Sequence, residues 1–184
     1  MPVAVAIAAI GLLATAGARD DLAQVLDAPR FLFKFLATLS LAIPALLLLP
    51  RVALPDYRPT GRRRALWLGP LVLLAGVSLE LVSLPRESWL PAAVGHNGLW
   101  CLFMVPMLAI APLAAALYCL RQSAPAMPAR AGAVAGLASG ALAATVYALH
   151  CTDDSPLFVG LWYSLGVLFV SAAGAWLATR VARW

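Results

Sequence analysis

Charge is what this sequence holds least of. Of its 184 residues only 11% are Asp, Glu, Lys or Arg, against 63% that are hydrophobic, and so little polarity cannot cover the surface of a soluble domain. Histidine stops at two and cysteine at three. Neither falls into the Cys-x-x-Cys or His-x-x-x-His spacing that makes a zinc site legible. The chain lacks a Gly-x-Ser-x-Gly elbow, a phosphate-binding loop and a pair of carboxylates inside an apolar segment. No enzyme signature emerges, and no cofactor is expected. The alternating ten-residue strands of a membrane barrel are missing, as is a repeat clear enough for an inverted-repeat transporter.

What remains is a series of long apolar segments. A spanning helix takes about 20 apolar residues, so about six spans with short connectors use nearly the whole chain. The expected spans lie near 3–18, 31–49, 66–84, 98–120, 131–149 and 157–179, in a single transmembrane domain over 1–184. Lipid offers backbone amides no partner, so each must be satisfied within its segment. The expected fold is therefore all-α, a polytopic membrane helix bundle. Val3 to Gly17 is short for a span and has no basic residue before it. Ala16-Gly17-Ala18 has the spacing of a signal-cleavage site, but the basic lead-in of a signal is absent. A first span without its upstream cytoplasmic tail is the expected reading.

Within the spans, Lys34 is placed to snorkel from the start of the second. Glu80, near the end of the third, reads as a boundary carboxylate. Pro106 and Pro112 predict a kink or local unwinding in the fourth. Gly132, Gly136 and Gly140 leave one face of the fifth without side chains, which suits a tightly packed central helix.

The formal charge of +5 is carried by short loops, the usual orientation signal of an inner-membrane protein, and not by a nucleic-acid surface. The loop from Arg51 to Arg64 holds five arginines and is assigned to the cytoplasm. Alternation then places Arg51, Arg58, Arg62, Arg63, Arg64, Arg121 and Arg130 inside, with Arg180 and Arg183 of the tail, and makes both termini cytoplasmic. Of the eight acids only Asp56 joins them. Those loop arginines face any cytoplasmic partner. Cys119, at the same end, reads as a small buried residue.

The opposite, outer end gathers the residues with chemistry: Cys101, Cys151, His96, His150, Asp153 and Asp154. Most belong to one polar bridge, Leu149-His150-Cys151-Thr152-Asp153-Asp154-Ser155-Pro156. Cys101 and Cys151 could form a structural staple in an oxidising compartment, be two buried small hydrophobes, or act as a thiol pair that responds to oxidation or metal. A metal site could draw on both cysteines with His96, His150 and Asp153. Asp153, Asp154 and Ser155 are expected to cap the sixth helix, with Pro156 in its first turn. Trp162 and Tyr163 are expected to anchor at the interface.

The bridge through Phe158, followed by Leu161-Trp162-Tyr163, resembles the hallmark of the NrsF-like family of six-span bacterial membrane anti-sigma factors. Trp100-Cys101-Leu102 with Pro106 is similar to that family's other cysteine-bearing stretch, and Pro29-Arg30-Phe31-Leu32-Phe33-Lys34-Phe35 to its second-span opening. The resemblance covers most of the chain. It implies a protein of the bacterial inner membrane that sequesters an extracytoplasmic-function sigma factor and releases it under heavy-metal or oxidative stress in the periplasm. The two periplasmic-side cysteines implicated in that response match Cys101 and Cys151. Family members carry a cytoplasmic tail before the first span, thought to contact the sigma factor, whereas this sequence starts almost at the span. The competing class is a small-molecule transporter or channel, suggested by the proline-broken fourth span, the glycine-faced fifth and Glu80.

Overall fold

The computed structural model describes residues 17, 19, 21–56 and 61–181. The expected first span, 3–18, lies almost entirely outside the described residues. Every regular element among those described is helical. After a short helix α1 (Leu22–Val25) come α2 (Pro29–Val52), a 3-10 turn (Gly61–Trp67) and α3 (Leu68–Ser83). Next are α4 (Trp89–Val94), α5 (Gly98–Ser123) and α6 (Pro128–Tyr147). The chain ends in α7 (Pro156–Phe158), which runs through a π-helical segment (Val159–Tyr163) into α8 (Ser164–Val181). Five helical stretches, Pro29–Val52, Arg63–Ser83, Arg86–Ser123, Pro128–Tyr147 and Pro156–Val181, are long and apolar enough to cross a membrane. The last five expected spans overlap these stretches.

The outward faces of these helices are as apolar as their inward ones: Leu47, Leu71, Leu74, Leu79, Leu99 and Phe169 are all exposed. Such a surface suits hydrocarbon, where contrast between helix faces is not what drives association; close packing does that. The sequence supplies closeness through small residues on α6. Gly132 and Gly136 press against the carbonyls of Gly174 and Val170 on α8, and a Cβ at Gly140 would stand 3.2 Å from the Val167 Cα. The expectation of a central, closely packed fifth span holds. α2, α5 and α8 all pack around α6, while α3 lies outside, against α2.

α2 is joined to α3 by the same device, since Gly69 and Gly76 receive Leu41 and Phe33 of α2. α5 stays helical through Pro106 and Pro112, so no local unwinding accompanies the prolines. The irregularity lies instead in the last helix, where Val159–Tyr163 widens to a π-turn. Alternating helix direction brings the starts of α2, α5 and α7 to one end of the bundle, with the ends of α3 and α6. Arg51, Arg121 and Arg130, on the ends of α2, α5 and α6, and Arg63 and Arg64 of the 3-10 turn lie at the other.

Candidate functional site

At the first of these ends the bridge 149–156 closes over the bundle, and four separate segments hold it. Asp154 lies between two cations. Lys34 Nζ of α2 meets its Oδ1 at 2.6 Å, and Arg19 Nη1 donates to both carboxylate oxygens at 2.9 Å. Arg19 also pairs with Asp21, through Nε at 2.6 Å and Nη2 at 2.8 Å. Two cations thus face two carboxylates in a neutral quartet. Both cations reach past Asp154 to the carbonyl of Cys151, Lys34 at 2.7 Å and Arg19 at 3.3 Å. The Phe31 ring lies beneath both, 5.7 Å from Arg19 Cζ and 5.9 Å from Lys34 Nζ.

Lys34 therefore does not snorkel. Its exposure is 0%, and a buried cation is tolerable because a carboxylate and a carbonyl replace its water. Asp21 holds the Arg19 guanidinium above its ordinary pKa against the opposing effect of burial, and Arg19 in turn lowers Asp21.

Asp153 turns the other way, toward the start of α5. It accepts the backbone N–H of Asn97 at 2.8 Å and of His96 at 3.1 Å, and the Asn97 side-chain amide at 2.9 Å. Burial pushes its carboxyl up, but those amides outweigh burial and hold it below the usual carboxylate range. Room for this contact comes from Gly95, at φ +60°, where a Cβ would stand 2.9 Å from the Asp153 Cγ.

The capping expectation is corrected by this geometry. Neither Asp153 nor Asp154 caps the helix that follows; Ser155 sits at the N-cap without a side-chain cap bond. The carboxylate serving that helix start is Glu80 of α3, whose Oε2 accepts the Leu157 N–H at 2.8 Å and the Ser155 hydroxyl at 2.6 Å. Arg30 Nη2 approaches its Oε1 at 3.2 Å without an aligned hydrogen bond. At 4% exposure Glu80 is a tie between helices rather than a boundary carboxylate. The Trp162 indole likewise donates to the carbonyls of Ala93 and Val94 at 3.0 and 3.1 Å. Its ring lies against Gly98.

The bridge and the side chains that hold it, Arg19, Lys34, Glu80 and Asn97, form a clasp, and beneath it lie the two thiols. Cys101 is 0% and Cys151 1% exposed, and both belong to the main core cluster. They are free thiols. Burial pushes the Cys151 thiol up against the opposing charge of Lys34. Tyr147 and Tyr163 pack beside them with ring centroids 6.1 Å apart. The Tyr163 hydroxyl is buried without a well-formed hydrogen bond, so Tyr163 is a core residue and not the expected interfacial anchor.

The histidines do not join the thiols. The His96 side chain is 97% exposed, its Nδ1 3.6 Å from Asp153, and His150 Nδ1 hydrogen-bonds with the Gly17 carbonyl at 2.9 Å. Among the described residues no three His, Cys, Asp or Glu side chains are grouped to hold a metal ion. Cys119 is exposed at the arginine end rather than buried.

Sequence reasoning identified Cys101, Cys151, Asp153 and Asp154 at this end but missed Arg19, Lys34, Glu80, Gly95 and Asn97 as parts of the clasp. The signal available was scarcity: in so apolar a chain, each ionisable group near a helix end needs a partner from another helix.

The whole chain, residues 1–184, matches the model of the NrsF family, described as negative regulator of sigma F. The anti-sigma-F factor NrsF of Caulobacter vibrioides is 34% identical over 172 residues, covering 91% of this chain and 78% of that protein. The probable anti-sigma-F factor NrsF of Azospira oryzae is 32% identical over 173 residues, covering 94% and 81%. No solved structure matches. With a family match over its full length and relatives aligned across most of both chains, this protein belongs to the NrsF family of negative regulators of sigma F.

Proposed function

We propose that this protein is a multi-pass anti-sigma factor of the bacterial inner membrane, holding an extracytoplasmic-function sigma factor at the cytoplasmic face and releasing it under oxidative or heavy-metal stress in the periplasm. Family membership supports the sigma-factor partner. The observation that carries the sensing step is the double engagement of Cys151. Its thiol lies in the core and its carbonyl is the shared acceptor of Lys34 and Arg19. A change in the covalent or metal state of that thiol moves the turn on which the clasp is built.

The route onward is α6. Its C-terminal end leads into the Cys151 turn, and its N-terminal end follows the connector between Arg121 and Arg130. In a helix packed glycine to backbone along its length, displacement at one end is transmitted and not absorbed. The arginine end, which carries Arg51, Arg63, Arg64, Arg121 and Arg130, is the sigma-facing surface; Arg58 and the Arg62 side chain lie outside the described residues. Two packings separated by a few kcal/mol suffice for release.

The test is a sigma-dependent transcriptional reporter carrying Cys101→Ser, Cys151→Ser or both. Basal repression is expected to persist, while induction by a periplasmic oxidant or a thiophilic metal is lost. Full induction in the double variant would sink the sensing role. Failure of the wild-type protein to retain any sigma factor on purification would sink the partner assignment.

A further inference from the structure

A groove open to the side runs along α3. It encloses about 730 Å³ and is lined by Leu66, Pro70, Leu74 and Val77 on one wall and by Leu161 and Leu168 on the other. From Pro70 to Val77 it follows about 10 Å of helix rise, in the half of the bundle nearer the arginine end, and continues to Leu157 near the clasp. At the arginine end a second cavity, of about 630 Å³, shares Leu66 and Pro70 with the groove and adds Arg63, Arg64 and Trp67. Both arginines are exposed, as is the Trp67 ring.

An almost wholly apolar channel beneath a two-guanidinium mouth has the polarity of one kind of molecule. We infer that the groove and its mouth together form a binding site for an anionic phospholipid, with an acyl chain along α3 and the headgroup phosphate between Arg63 and Arg64. Both volumes fall in the range of small-molecule sites. The guanidinium fork matches phosphate oxygens. A tryptophan beside them sits where indole rings prefer to lie, at headgroup depth. The wall between α3 and the last helix is sparsely packed because α3 is peripheral, so the groove stays open to the bilayer side. Charge complementarity selects an anionic over a zwitterionic headgroup.

The site also divides the arginine end. This narrows the sigma-facing set proposed above: Arg63 and Arg64 hold lipid and fix the height of α3, which leaves Arg51, Arg121 and Arg130 to the protein partner.

The test uses the full chain in nanodiscs of phosphatidylglycerol and phosphatidylcholine, without sigma factor, with retained lipid counted by native mass spectrometry. The wild type is expected to retain phosphatidylglycerol in preference. Arg63→Gln with Arg64→Gln is expected to weaken that preference by about fivefold per arginine, whereas Arg63→Lys with Arg64→Lys keeps it. Val77→Phe, on the half-exposed wall of the groove, is expected to reduce retention of both lipids while leaving the headgroup preference intact. Equal retention of the two lipids by the wild type overturns the proposal. So does undiminished phosphatidylglycerol retention by the glutamine pair; loss of sigma factor by that pair in a separate co-purification would then assign these arginines to a protein.

Discussion

Lys34 and Asp154 each make the other's ionised state affordable inside the bundle. Lys34 has no exposed surface, and its ammonium rests on one carboxylate oxygen and one carbonyl. Removing one partner strands the other, at a cost of about 3–5 kcal/mol for a buried pair. Lys34→Met and Asp154→Asn are therefore each expected to lower the unfolding midpoint in detergent steeply. Because Arg19 also depends on Asp154, Asp154→Asn is expected to be the more damaging.

Asp153 gives the same end of the molecule a pH dependence of known sign. Its folded-state pKa lies below the ordinary value, so its stabilisation is complete above the unfolded value of about 3.9 and is lost as pH falls through the lower folded one. Asp21, depressed by Arg19, contributes in the same direction. Melting temperature is expected to hold level from about pH 7 to about pH 5 and to drop below about pH 4. Asp153→Asn is expected to lower the level at neutral pH and to shrink the acid drop.

At the scale of elements the tightest constraint is the glycine face of α6. Gly132 and Gly136 touch main-chain atoms of α8, which have no rotamer to swing away. Gly136→Leu is therefore expected to push the helices apart and cost about 1–3 kcal/mol or more, as overpacking does. Gly61→Ala, where a Cβ meets nothing within 4 Å, is expected to be neutral. Folded yield in detergent, with resistance to titrated SDS, measures both. This face was legible in the sequence, because glycine at four-residue spacing in an apolar run has few other uses in lipid. The helices were legible for a similar reason, since a spanning run declares itself by length and hydropathy alone.

The clasp was not legible in that way. Its bonds join Arg19, Lys34, Glu80 and Asn97 to residues 151–157, and no local pattern encodes which of several ionisable groups at one end will pair. Asp153 and Asp154 look like caps because the preceding-acid pattern is the common one. Here Glu80 takes that role from α3, freeing both aspartates to reach other segments. The π-turn at Val159–Tyr163 belongs with them, as it re-aims Trp162 toward the Ala93 and Val94 carbonyls.

At the scale of the whole molecule the two ends differ in kind, one closed by paired charges and the other carrying unshielded arginines. Among the described residues the clasp end holds six carboxylates, Asp21, Asp27, Glu80, Glu87, Asp153 and Asp154, against four cations, Arg19, Arg30, Lys34 and Arg86, so it carries no excess of positive charge. Arg63 and Arg64 stand exposed at the other end. Membrane insertion sorts loops by basic residues near the span ends, with little weight given to acids, and uncompensated arginines belong on the cytoplasmic side. A cysteine-free variant carrying Glu87→Cys is therefore expected to react with a membrane-impermeant thiol reagent added to intact spheroplasts. One carrying Arg63→Cys is expected to react only after the membrane is opened. Labelling in the reverse order would place the thiol pair and its clasp in the cytoplasm, and a periplasmic signal could then no longer reach Cys151 without crossing the bundle.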